Sequence, residues 1–148
     1  MTRRMDVFTA AALMTEWLRT SELIAKATSF DGRLSTLIQL QASQINGYAN
    51  SHTYHVAAAR GHGETDQCIN LLPAWREAPC YTDRELAALE WIEARTQLSE
   101  HPRLAAAQAA LKANFSDEEQ VKLSLAINLI NDWKRLAVGF DILSDATT

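Results

Sequence analysis

What constrains this chain most is how rarely its backbone is told to turn. Its 148 residues include only five glycines and three prolines. The stretches between them are rich in Ala, Leu, Glu, Gln and Arg, residues that lose little on entering a helix. Several stretches repeat apolar residues at i, i+3, i+4 and i+7, and none alternates as a half-buried strand does. The expected fold class is therefore all-α, a bundle of about six or seven helices. No repeat, low-complexity tract or linker interrupts it, so residues 1–148 are read as a single domain, long enough to bury a core.

The pattern predicts where the helices begin and end. From Val7 to about Lys26, Ala11, Met14, Leu18, Leu23 and Ile24 recur at helical spacing. Asp31 is a plausible N-cap for a second helix to Gln44, with Leu34, Leu37, Ile38 and Ile45 as its buried stripe. Asn46-Gly47 reads as a helix–helix junction, because its flanks have helical period. A third helix is expected from Tyr48 to Arg60, stopping at Gly61-His62-Gly63. A fourth opens with Glu64 and Asp66, acids suited to a helix N-terminus, and ends or kinks near Pro73. Thr82-Asp83-Arg84-Glu85 is a capping box for a fifth helix to about Leu98, with Leu86, Leu89 and Ile92 inward. His101-Pro102 starts a shorter helix to about Ala113. A second box, Ser116-Asp117-Glu118-Glu119, opens a final helix whose face runs Ala126, Leu129, Ile130, Trp133, Leu136, Ala137, Phe140.

Charge excludes some functions. The formal net charge is −4, and the densest positive spots are Arg3-Arg4 and Lys134-Arg135. That is too sparse to neutralise a run of phosphates, so no nucleic-acid partner is expected. No apolar run reaches the ~18–20 residues needed to span a bilayer, which gives no membrane role and a cytoplasmic address as the expectation. Cys68 and Cys80, twelve positions apart, form neither a CxxC nor a zinc spacing. In a reducing compartment they are expected to be free thiols.

The stretch Ser43-Gln44-Ile45-Asn46-Gly47-Tyr48-Ala49-Asn50-Ser51-His52-Thr53-Tyr54-His55 resembles the signature of the AhpD-like alkylhydroperoxidase family, also called the carboxymuconolactone decarboxylase family. Its peroxidase branch shows Ser-Gln-Ile-Asn-Gly-Cys-x-x-Cys-x-x-x-His there, with a glutamate twelve positions before the first cysteine. The likeness continues through Gly63-Glu64-Thr65-Asp66, Ala74-Trp75-Arg76-Glu77-Ala78-Pro79, Thr82 to Leu89, Ser116 to Glu119 and Asn131-Asp132-Trp133-Lys134-Arg135-Leu136-Ala137. It covers about residues 6–140 and implies an AhpD-like multi-helical bundle.

The departures fall on the chemistry. Tyr48 and Ser51 stand where the family has its cysteines, Thr36 stands where it has the glutamate, and His55 alone is kept. Hydroperoxide reduction needs a thiolate that becomes a sulfenic acid and a second thiol that condenses with it. Neither a serine hydroxyl nor a tyrosine phenol can supply that sequence. The resemblance implies a glutamate–histidine proton relay that here lacks both its acid and the thiol it serves.

On a helix, positions 48, 51, 52 and 55 share one face. Tyr48, Ser51, His52 and His55 are therefore the candidate site residues. Tyr48, Ser51 and His55 occupy the family's motif positions, and Tyr48, His52 and His55 are candidate ligand-binding groups. The bland reading is a polar cluster satisfied at a helix–helix contact. The functional one is a remodelled pocket for a small-molecule ligand. One His52-x-x-His55 pair without an adjacent acid is weak support for zinc, so no metal and no cofactor are expected. Alternatives are an oxidoreductase using relocated thiols and a non-redox acid–base enzyme of the decarboxylase branch. The resemblance also implies a homo-oligomer, as dimer, trimer or hexamer. Trp17, Trp75, Trp91 and Trp133 are either its anchors or, more simply, core residues.

Overall fold

In the computed structural model, residues 5–47, 49–99 and 102–140 are described, with residues 49–51 described as backbone only. Among these residues seven α-helices follow one another: α1 (Ala11–Ala27), α2 (Gly32–Ile45), α3 (Ala49–Gly61), α4 (Asp66–Leu71), α5 (Asp83–Thr96), α6 (Leu104–Asn114) and α7 (Asp117–Phe140). Short 3-10 turns precede α1 at Val7–Ala10 and follow α4 at Leu72–Glu77. No strand occurs among the described residues. The fold is all-α, as the sequence pattern requires.

The helix starts form where their side chains can satisfy free backbone N–H groups. Asp31 accepts the Leu34 N–H at 3.1 Å and starts α2. Thr82 and Glu85 cap each other reciprocally at the start of α5. Ser116 and Glu119 do the same before α7, at 3.3 and 3.0 Å. The fourth start differs from expectation. Thr65 is the N-cap of α4, and Glu64 lies outside the helix, buried. Pro73 sits at the start of the 3-10 turn and ends α4 after six residues.

α2 is the central element, packed against α3, α5 and α7. Leu34, Leu37, Ile38, Leu40, Gln41, Ala42 and Ser43 are each 3% exposed or less. One side, Leu34, Ile38 and Ala42, joins Ala88, Trp91, Ile92, Leu111, Leu123 and Ile127. The other, Leu37 and Leu40, joins Cys68, Leu72, Trp75, Tyr81 and Leu89. Trp75 and Trp91 are thus core residues, each with its indole N–H bonded, to Glu93 and Ser124 respectively. Trp17 and Trp133 meet edge to face, with ring centroids 4.2 Å apart, where α1 lies against α7.

Two expectations are corrected. The apolar spacing of α1 does not mark a buried face: of its side chains, Met14 and Ser21 are buried, while Leu13, Leu18 and Leu23 are exposed. The cysteines are not free. α4 ends at Leu71 and the 3-10 turn reverses the chain, bringing the Cα atoms of Cys68 and Cys80 to 6.0 Å, and the two are joined as a disulfide. Spacing along the chain could not reveal a pairing made by that reversal.

Leu40→Ala, at a fully buried position of α2, is expected to lower unfolding stability by about 2–5 kcal/mol. Leu13→Ala on the exposed side of α1 is expected to change it by less than about 0.5 kcal/mol. Urea unfolding of the two variants checks the contrast.

Candidate functional site

The junction between α2 and α3 is held by polar side chains. Gly47 takes the left-handed conformation, φ 65°, that lets the chain leave α2. Asn46 donates from Nδ2 to the Ala42 carbonyl at 2.7 Å and to Asn131 Oδ1 of α7 at 2.9 Å. Asn131, 2% exposed, donates in turn to Thr96 Oγ1 of α5 at 2.9 Å. At the far end of the α2–α3 pair, the His62 ring lies so close over Gly32 that a Cβ there would come within 2.2 Å of it. Both ends of the α2–α3 pair are therefore fixed.

Of the expected site residues, His52 and His55 lie on α3 and are both half-buried. Ser51 lies on the same helix, but its side chain is outside the described residues, as is all of Tyr48. Thr36, at the position of the family's glutamate, turns its hydroxyl back to its own helix. It donates to the Gly32 and Arg33 carbonyls, each at 2.9 Å.

α7 adds a residue that sequence reasoning missed. Lys134, which the sequence shows only as part of a positive spot with Arg135, is 4% exposed. Its Nζ donates to Ser43 Oγ at 2.6 Å, and that hydroxyl donates to the Gln39 carbonyl at 2.9 Å. The signal was present in the spacing: Leu123, Ile127, Ile130, Lys134 and Ala137 form one helical stripe, and all five are buried. The true inner face is rotated from the expected one, so Leu129, Trp133 and Leu136 are only half-buried.

Burial pushes the Lys134 ammonium down to about 8. Burial also pushes His55 down to about 4, helped by the positive charge of Lys134 and, less, by His52. At neutral pH His55 is thus a neutral imidazole, and the Lys134 ammonium holds its proton less tightly than an ordinary lysine. That set can accept and return protons and can hold polar or anionic atoms. It contains no sulfur. Among the described residues, no group of three or more His, Cys, Asp or Glu side chains is placed to hold a metal ion.

A second polar cluster lies away from the motif. Arg33 pairs with Glu64 at 3.2 Å and with Glu85 at 3.0 Å. Tyr81 donates to the Cys68 carbonyl at 2.6 Å, and its phenol is pushed up to about 12 by burial and by the Glu64 and Glu85 charges. Glu85 accepts the Thr82 N–H and Glu64 the Thr65 N–H, so these carboxylates hold the starts of α5 and α4. A cleft of about 240 Å³ lined by Phe30, Ile38, Gln39, Leu129 and Ile130 contains none of the motif side chains.

Comparison with known proteins agrees with this fold. Residues 11–94 match the model of the carboxymuconolactone decarboxylase family. The chain belongs to that family. The family match spans the α2–α3 junction and both cysteines, and it ends before α7, which carries Lys134. The chain is 32% identical to the uncharacterized protein YdfG of Bacillus subtilis (strain 168), over 94% of its own length and 95% of that protein. It is also similar to the crystal structure of an Agrobacterium tumefaciens protein of unknown function, described there as a candidate antioxidant-defence protein AhpD. That likeness has a TM-score of 0.83 and 38% identity, and it covers 95% of this chain and 96% of the other. The fold of this family member is AhpD-like.

His55 gives the site a pH signature. Its proton is bound more weakly in the folded chain, about 4, than in the unfolded one, about 6.5. The unfolded state therefore takes up more protons between those values, and stability falls as pH drops through that window. Because the ring is half-exposed, the loss is discounted to about 1–2 kcal/mol. Thermal unfolding of the native protein should lose more stability from pH 7 to pH 4.5 than that of His55→Gln. Parallel pH profiles for the two would contradict the assignment.

Proposed function

We propose that this chain is a family member whose motif site no longer performs thiol peroxidase chemistry and instead binds a small molecule. The observation that carries this reading is the substitution of both redox positions by Tyr48 and Ser51, with Thr36 bonded back to its own helix. A hydroperoxide is reduced by two electrons, giving an alcohol and water while two thiols become a disulfide. No pair of thiols stands at the motif to supply them. What stands there is a neutral imidazole, a buried amine and a hydroxyl, groups that orient and protonate a ligand. This site chemistry also suits the family's non-redox acid–base branch.

The Cys68–Cys80 disulfide favours a second reading, in which the redox pair has moved to α4 and the segment before α5. Disulfides persist in oxidising compartments and are transient in reducing ones. In the cytoplasm expected from the sequence, such a bond would have to turn over or be remade. A homo-oligomeric scaffold is a further part of the proposal. It is supported by exposed Leu13 and Leu23 on α1 and by exposed Val121 and Leu125 on α7.

Organic-hydroperoxide consumption with a dithiol reductant separates these readings. The native protein is expected to be silent, and a Thr36→Glu/Tyr48→Cys/Ser51→Cys variant to turn over. Native turnover that is abolished by Cys80→Ser would overturn the proposal in favour of relocated thiols.

A further inference from the structure

We propose that the Cys68–Cys80 disulfide is a site of reversible exchange with low-molecular-weight thiols, entered at Cys80, and that it latches the segment it closes, residues 69–79. The exchange uses no hydroperoxide, so it is distinct from a relocated peroxidase, and it does not rest on the reading of the motif site.

Three observations converge on it. First, the two cysteines differ in access. Cys68 is 2% exposed and lies on α4, within the cluster of Leu37, Leu40, Leu72 and Trp75. Cys80 is half-buried and stands in the turn before α5, outside any helix. Attack on a disulfide depends on which sulfur can be reached, and here the more accessible residue is Cys80. Second, the surroundings suit Cys68 in either state. Its Sγ lies 3.9 Å from the Cys80 carbonyl, an acceptor that a disulfide sulfur cannot use and a thiol proton can. A thiol among apolar side chains packs as a small hydrophobe. The Tyr81 hydroxyl donates to the Cys68 carbonyl at 2.6 Å, a tie that needs no disulfide. Third, the closed segment is weak by itself. α4 has six residues, fewer than a helix needs to persist alone. Pro73 and Pro79 bring it no backbone N–H. Closing a loop of this length restrains its opening by ~30-fold or more.

The step balances in two exchanges. A thiolate attacks the Cys80 sulfur, and the bond to Cys68 breaks with its electron pair left on the Cys68 sulfur, which takes up a proton. The product is a mixed disulfide at Cys80. A second small thiolate attacks the outer sulfur of that bond, and the Cys80 sulfur leaves as a thiolate and is protonated. Two small thiols have become one disulfide, and the protein has gained two electrons and two protons. A low-molecular-weight disulfide runs the sequence backwards.

The test incubates the folded native protein with reduced glutathione at neutral pH. Cysteine states are then read by alkylation and peptide mass spectrometry, and amide hydrogen exchange is followed on the same samples. The bond is expected to open without denaturant and to reclose with glutathione disulfide. Amides of residues 69–79 are expected to exchange at least ~10-fold faster once it is open, and those of α2 to change less. Cys68→Ala is expected to take up glutathione from its disulfide, at Cys80, at least ~10-fold faster than Cys80→Ala takes it up at Cys68. A bond that yields only after urea unfolds the chain would overturn the inference, as would equal uptake at the two positions. Hydrogen exchange unchanged by reduction, or raised equally in α2 and in residues 69–79, would remove the latch. Hydroperoxide consumption, which decides the reading of the motif site, is a separate assay.

Discussion

The structure depends on the burial of α2. A helix that hides Leu34, Leu37, Ile38, Leu40 and Ala42 in two separate clusters has no free side on which to shift. Every neighbour must conform to it, because interiors packed at crystal-like density transmit a displacement instead of absorbing it. Its last turn departs from the apolar rule. Ser43 and Asn46 are polar, and each meets a polar partner on α7, Lys134 and Asn131 respectively. The same rigidity that makes the core therefore fixes the position of the polar groups beside α3.

Burying Lys134 works against stability. Its ammonium is favoured in water, and enclosure brings it from the ordinary 10.5 to about 8. Below pH 8 the folded state carries a charge it disfavours, and the penalty is relieved only as pH rises from 8 towards 10.5. A leucine at that position would continue the stripe of Leu123, Ile127 and Ile130 without the penalty. Places where a sequence breaks its own packing rule are where function is concentrated. Lys134 and His55 both lose hold of their protons through burial, and the Lys134 charge weakens His55 further.

Much of the fold was legible in the sequence, because capping is local chemistry. Asp31, Thr82 with Glu85, and Ser116 with Glu119 each satisfy backbone N–H groups within three residues, so their spacing alone locates α2, α5 and α7. The family motif located the α2–α3 junction. What the sequence concealed depends on tertiary approach. Glu64, expected to open α4, lies before its cap Thr65 and meets Arg33, 31 positions away. The cysteines pair because Pro73 and the 3-10 turn reverse the chain. Lys134 was passed over because it stands beside Arg135 as a positive spot, although its spacing from Ile127 and Ile130 puts it on the buried stripe. Tyr48 and the Ser51 side chain lie outside the described residues, so the part of the site they form is known from the sequence alone.

The central proposal is that the α2–α3 motif region holds a site built on a neutral histidine and a buried, weakly held lysine proton. Titrating both groups directly, by NMR of labelled imidazole and ammonium nitrogens with Lys134→Met and His55→Gln for assignment, tests it most simply. The account predicts midpoints near 8 for Lys134 and near 4 for His55. Midpoints near the ordinary ~10.4 and ~6.5 would mean that both groups are solvated, and the site described here would not exist.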